Sequence, residues 1–159
     1  MTLRIGHGID VHRLSSGRPL YLGTVEIAHD RGLEGHSDGD VAAHALCDAL
    51  LGAAGLGTMG EHFPSSDGRW AGTSGRDFLR AVGALLASAG ATIISSQVVI
   101  LAEEPTLAPH LTEMGLRMGG ALGAEYGVVR VGATSTDGLG ATGRGEGIAA
   151  SAVALIESR

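Results

Sequence analysis

Hydrophobic and polar positions change period several times along the chain. Residues 3–14 (Leu-Arg-Ile-Gly-His-Gly-Ile-Asp-Val-His-Arg-Leu) alternate as a strand does. Ile5, His7, Ile9, Val11 and Arg13 share one face; Gly6, Gly8, Asp10, His12 and Leu14 share the other. Ser15-Ser16-Gly17-Arg18-Pro19 reads as a turn, residues 20–28 as a return strand and 30–37 as a loop. The period then becomes helical. Over 38–54, Ala42, Leu46, Ala49, Leu50 and Ala53 form an apolar stripe, with Ser37 or Asp38 as cap and Asp40 near the positive end. Asp40, His44 and Asp48 follow a different stripe at i, i+4, i+8. The Gly-rich stretch from 55 to 75 predicts a long loop of the kind that carries function or moves.

Residues 76–89 predict a helix with Phe78, Leu79, Val82, Leu85 and Leu86 inward and Gly90 as its stop. The β-branched run 91–102 predicts a strand. A loop bounded by Pro105 and Pro109 leads into a helix over 110–123 and a strand over 128–134. Residues 147–157 predict a closing strand, because the glycines before them break any helix. There is no repeat and no linker. The expected fold is α/β (α+β): a single domain over 1–159, with a mixed sheet of about five strands and three main helices packed on one side.

Composition narrows the function classes. The net charge is −6 over 159 residues, which argues against a general nucleic-acid binder. All 11 basic residues are arginine, so a Schiff-base lysine and a Walker lysine are both excluded. Cys47 is alone and reads as a small packed hydrophobe, leaving no intrachain disulfide. No window suits a membrane span, and residues 1–7 carry no apolar signal core, so a cytoplasmic location is expected. Aromatics are only 3%, so Leu, Val, Ile and Ala must fill the core. Small side chains bury little area each, and further burial through oligomerisation is expected.

The candidate chemistry lies in short polar groups. Asp10 and His12 stand at i and i+2 of a strand, so their heads point to one side. His44 is a candidate third member, and Asp/His/His suits Zn²⁺ with a fourth position left open. The competing reading makes Asp10 and His12 surface groups on an edge strand and His44 an ordinary helix histidine. Thr134-Ser135-Thr136-Asp137 offers hydroxyls for phosphate oxygens and a carboxylate for a hard cation, or else a hydrogen-bonded turn. Thr142-Gly143-Arg144-Gly145-Glu146-Gly147 offers an arginine fork to an anion, or else a flexible turn. Glu103-Glu104 reads as solvated.

Together, Gly6-His7-Gly8-Ile9-Asp10-Val11-His12, His36-Ser37-Asp38-Gly39-Asp40-Val41-Ala42 with His44-Ala45-Leu46, and Thr142-Gly143-Arg144-Gly145-Glu146-Gly147 resemble the 2-C-methyl-D-erythritol 2,4-cyclodiphosphate synthase family in its monofunctional form. The resemblance spans about residues 3–157. It implies a homotrimer with active sites between subunits. It also implies cyclisation of 4-diphosphocytidyl-2-C-methyl-D-erythritol 2-phosphate with release of CMP, a phosphorus–oxygen lyase step of the non-mevalonate isoprenoid pathway. A divalent metal, usually Zn²⁺, would be held by Asp10, His12 and His44. Mg²⁺ or Mn²⁺ bound with the diphosphate would use Asp137.

The same resemblance casts His36 and Ser135 as groups that stabilise the transition state. His36 and Ser37 would also contact the methylerythritol phosphate. Thr58, Met59, Gly60, Phe63, Pro64, Ser65, Ser66 and Asp67 belong to a segment that would close over that portion, with Asp48 beside it. Ala102, Thr106, Leu107 and Ala108 would cradle cytosine. Thr134, Thr136, Ala141 and Arg144 complete the implied substrate contacts, Arg144 at phosphate. The chain departs from the family pattern at Thr58 and Ser65 (usually Asp), Thr106 (usually Lys), Ser135 (usually Thr) and Ala141 (usually larger). Other readings of the same residues are a metal-dependent phosphohydrolase and a non-catalytic trimer that binds isoprenoid diphosphates.

Overall fold

The computed structural model describes residues 1–158. Its main sheet has five strands in the order β4-β1-β7-β5-β6. β1 (Thr2–Ser16) pairs antiparallel with both β4 (Arg31–Leu33) and β7 (Gly147–Ser158). β5 (Ala91–Leu101) lies antiparallel to β7 and parallel to β6 (Val129–Thr134). The sheet is therefore mixed, as expected. The helices α1 (Val41–Ala54), α3 (Gly75–Ser88) and α4 (Leu111–Leu122) are the three main ones.

The glycine face of β1 is the face that meets α1. A Cβ on Gly6 would stand 1.9 Å from the Ala49 carbonyl oxygen, and one on Gly8 would stand 2.1 Å from that of Ala45. The two glycines are the reason strand and helix touch backbone to backbone. α1 is consequently buried nearly all round, far beyond the single stripe that its sequence suggests. Aliphatic residues, Met114 and Met118 fill the core, and Phe78 is its one buried aromatic among the described residues.

Several local expectations change. The return strand 20–28 is a separate hairpin of β2 (Leu20–Leu22) and β3 (Val25–Ile27), folded back at Gly23 and Thr24, which have φ of 57° and 66°. The loop expected at 30–37 begins with strand β4. α1 starts at Val41 and is capped by Asp40 instead of Ser37 or Asp38. The Asp40 carboxylate is fully buried and accepts from the amides of Gly23, Thr24 and Ala43 at 2.9, 2.7 and 3.0 Å. One side chain thus ties the hairpin to the helix that carries His44. The long loop 55–75 holds a short helix α2 (Met59–His62) and a 3-10 turn (Gly68–Trp70). The glycine tract near 142 includes another short helix, α5 (Gly140–Gly143).

The sheet face away from the helices is apolar and open. Leu3, Ile5, Ile9 and Val11 on β1 are 61–72% exposed, and Val153 on the adjacent β7 is 43% exposed. No helix among the described residues is long and apolar enough to cross a membrane.

Candidate metal centre and its cavity

Asp10 and His12 leave β1 on the side of α1, and His44 reaches them from the first turn of that helix. His12 Nε2 lies 3.1 Å and His44 Nδ1 3.0 Å from Asp10 Oδ2. One donor atom from each of the three residues falls within a sphere of mutual distances under 4.8 Å. Burial of Asp10 opposes its ionisation. Hydrogen bonds and charge attraction from the two histidines prevail, and they hold its carboxyl well below the usual carboxylate range. The hydrogen bond that His12 donates to Asp10 in turn raises the His12 pKa against burial.

The donor set fits a divalent transition metal. Each histidine spends its other ring nitrogen on the protein: His12 Nδ1 on the Glu34 carbonyl, His44 Nε2 on Ser37 Oγ at 3.3 Å. That leaves His12 Nε2 and His44 Nδ1, which face Asp10 Oδ2, as the nitrogens that would ligate a metal once their protons leave. An O/N/N set of this kind leaves one tetrahedral position open, as catalytic zinc sites do.

The three residues form part of the wall of a cavity of about 400 Å³. His36, Ser37, Asp48, Met59, Gly60, Phe63 and Ser65 also line it. Asp48 anchors the covering segment, accepting from the Met59 amide at 2.8 Å. Trp70 and Phe78 join the wall, and neither was singled out as a site residue. The Phe63 ring centroid lies 4.8 Å from that of Trp70 and 5.1 Å from that of Phe78, which sits 5.5 Å from His44. The aromatic residues at 63, 70 and 78 recur at intervals of seven and eight, the one signal that could have joined them to the site. Thr58, Pro64, Ser66 and Asp67 are not part of the wall. Asp67 caps the 3-10 turn and grips Arg69, whose guanidinium holds its carboxyl low.

The remaining candidates gather elsewhere. Ala102 donates to the Thr134 carbonyl at 3.0 Å, which brings the 102–108 segment beside 134–137. Ser135 Oγ donates to Asp137 Oδ1 at 3.4 Å, and Asp137 has a positive φ of 52°. Glu103, expected to be solvated, organises this loop: its Oε1 accepts from the Thr136 amide at 2.9 Å and hydroxyl at 3.3 Å and from the Gly138 amide at 3.4 Å, and the backbone amides lower its pKa. Thr106 and Ala108 are exposed and Leu107 is buried. Ala141 lies on α5, and Arg144 just beyond it pairs with Glu146 at 2.6 Å. His12 is level with Ile148 on β7, and Leu101 of β5 is level with Ala149 and Thr134. Both groups therefore occupy the same end of the sheet. Three strand spacings, about 14 Å, separate β1 from β6, and none of residues 102–108 or 134–144 lines the cavity beside the metal centre, although Arg144 lies near Leu14 and Arg31.

Comparison with known proteins bears on this arrangement. Residues 3–157 match the model of the YgbB family. The chain is 54% identical to the 2-C-methyl-D-erythritol 2,4-cyclodiphosphate synthase of Symbiobacterium thermophilum, over 98% of this chain and 99% of that one. It is 52% identical to the synthase of the same name from Pelotomaculum thermopropionicum, over 97% and 95% of the two chains. Among solved structures, a 2C-methyl-D-erythritol-2,4-cyclodiphosphate synthase in a CDP-bound form superposes with a TM-score of 0.87 at 38% identity, covering 97% of this chain and 100% of that one. The chain belongs to the YgbB family, with the cyclodiphosphate synthases as its relatives over nearly their full length.

Proposed function

We propose that the protein converts 4-diphosphocytidyl-2-C-methyl-D-erythritol 2-phosphate to 2-C-methyl-D-erythritol 2,4-cyclodiphosphate and CMP. The observation that carries this reading is the convergence of Asp10, His12 and His44 at the wall of a covered cavity, in a chain of that family. In the reaction the 2-phosphate attacks the β-phosphorus of the diphosphate, and the bond to the CMP oxygen breaks. Nucleophile and electrophile are both anionic. Two unit charges 4 Å apart repel by about 1 kcal/mol in water and about 4 kcal/mol at an effective dielectric of 20. Asp10 Oδ2, His12 Nε2 and His44 Nδ1 would hold Zn²⁺, which would supply Lewis acidity to the diphosphate.

The rest falls to the side chains. His36 and Ser37 orient the 2-phosphate, and His36 donates to a phosphate oxygen as charge develops. Met59, Gly60, Phe63 and Ser65 cover the polyol and keep water from competing with the internal nucleophile. Asp137 would hold Mg²⁺ or Mn²⁺, which would offset diphosphate charge, while Ser135 donates to phosphate oxygens and Arg144 serves phosphate. Backbone groups of Ala102, Thr106, Leu107 and Ala108 read cytosine.

The two groups of residues become one site in a homotrimer, where the loop 134–137 of one subunit faces the metal centre of the next. The open apolar face formed by Ile5, Ile9, Val11 and Val153 supports this assembly, since contiguous exposed apolar surface marks an interface. Incubation with substrate, Zn²⁺ and Mg²⁺, followed by ³¹P NMR, tests the reading. Cyclodiphosphate and CMP in equal amounts support it. Inorganic phosphate would point to hydrolysis, and no CMP under any metal condition would overturn it.

A further inference from the structure

The two histidines of the metal centre come from different elements, yet a single four-residue segment supports both. The Glu34 carbonyl accepts a hydrogen bond from His12 Nδ1, and Ser37 Oγ lies 3.3 Å from His44 Nε2. Between them, Gly35 lets the chain pass close to the His12 ring: a Cβ there would stand 3.2 Å from His12 Cε1 and 3.3 Å from Nδ1. The Glu34 amide donates to the Arg13 carbonyl at 2.8 Å, but residues 35–37 belong to neither strand nor helix, so no backbone ladder holds them. Arg18, on the turn between β1 and β2, does. Its half-buried guanidinium donates to the Gly35 carbonyl at 3.3 Å and the Ser37 carbonyl at 3.1 Å. These carbonyls flank His36 on both sides. The opposite edge is fastened by the Gly72 amide, which donates to the His36 carbonyl at 2.8 Å.

We infer that Arg18 is a positioning residue that latches segment 34–37, and through it sets the orientation and tautomer of both histidine ligands and the placement of His36. Two donors in a fixed fork suit two carbonyls two residues apart, which one ammonium group cannot match. Histidine ligands depend on such partners: loss of an outer hydrogen bond typically costs about 10–100-fold in metal affinity. Arg18 touches neither histidine by a hydrogen bond, so its positioning effect passes through the segment; its charge also opposes protonation of His12, and Arg18→Lys, which keeps that charge, separates the two effects.

The inference rests on the metal reading proposed above, and its test separates the two. Zn²⁺ affinity is measured by competition with a chromogenic chelator in the parent protein, Arg18→Met and Arg18→Lys. Amide hydrogen exchange of residues 34–38 is followed in the metal-free proteins. Arg18→Met is expected to weaken Zn²⁺ binding about tenfold or more and to speed exchange at 34–38 while the β1–β7 core stays protected. Arg18→Lys should fall between Met and parent. Unchanged Zn²⁺ affinity and unchanged exchange in Arg18→Met would overturn the inference. If Arg18→Met does not fold, Gly35→Ala applies the test from within, because its Cβ pushes the segment off the His12 ring. A matching loss of Zn²⁺ affinity supports the latch and none overturns it. A parent protein that binds no Zn²⁺ would instead overturn the metal reading on which the latch rests.

Discussion

His44 Nδ1 lies 3.0 Å from Asp10 Oδ2, although 34 positions separate the two residues in sequence. The contact exists because Gly8, two residues before Asp10, lets the backbone of α1 rest on β1. Any side chain at position 8 must push the helix, and His44 with it, away from the strand. Gly8→Ala should therefore destabilise the fold by about 3 kcal/mol or more, at the upper end of overpacking costs. It should also weaken Zn²⁺ binding in whatever protein still folds. Urea unfolding and chelator competition on the same sample check both effects.

Removal of His44 itself acts on the chemistry. His44→Ala should lower turnover by about three orders of magnitude, the rate equivalent of losing roughly 4 kcal/mol of Lewis-acid stabilisation. Far-ultraviolet circular dichroism should stay close to that of the parent. Near-normal turnover in this variant would show that the Asp10/His12/His44 group is not the electrophilic centre.

Much of this was legible in the sequence, and for physical reasons. The strand alternation over 3–14 puts Asp10 and His12 on one face, because period two is a property of the strand alone. The helical stripe of 38–54 located His44. What the sequence hid depends on contacts between distant segments. Asp40 reads as a first-turn acid, yet it is the cap, because Gly23 and Thr24 arrive from the hairpin to share its carboxylate. Glu103 reads as a solvated pair with Glu104 until the loop 136–138 folds over it. Trp70 lies in a Gly-rich stretch, where the seven- and eight-residue spacing to Phe63 and Phe78 is the one sign of its place in the cavity wall.

Asp40 invites its own test. Its carboxylate accepts three backbone hydrogen bonds in a site closed to solvent. Asp40→Ala leaves the Gly23, Thr24 and Ala43 amides without partners, at about 1–3 kcal/mol for each buried orphan. A total loss of at least about 3 kcal/mol is expected. Asp40→Asn keeps one acceptor oxygen and should recover part of it. Equilibrium denaturation of the three proteins measures the difference.

Cys47 should be chemically silent while the protein is folded. It is fully buried on α1, and burial pushes its thiol pKa well up, with the Asp48 and Asp40 charges adding to the effect. A raised thiol pKa leaves almost no thiolate to react at neutral pH. An aromatic disulfide reagent should label the native protein only at the rate of opening, and label it fully within the mixing time in denaturant. Fast labelling of native protein would show that α1 separates from β1 far more readily than its packing indicates.

The shared-site arrangement makes a quantitative prediction. In the proposed arrangement His44→Ala would damage the metal half of a site and Asp137→Ala the phosphate half, so each variant alone should be nearly inactive. If one subunit supplies Asp10, His12 and His44 while its neighbour supplies Ser135 and Asp137, a mixed trimer contains some interfaces with both halves intact. Random reassembly of an equal mixture gives each interface a one-half chance of an intact metal half and an independent one-half chance of an intact partner half. About a quarter of parental activity should return on unfolding and refolding the two variants together. Mixing without reassembly should restore none. If the site were complete within a single chain, no arrangement of the two damaged proteins could be active, and the co-refolded sample would stay at the level of its parts. The about 14 Å between β1 and β6 within one chain favours the first outcome.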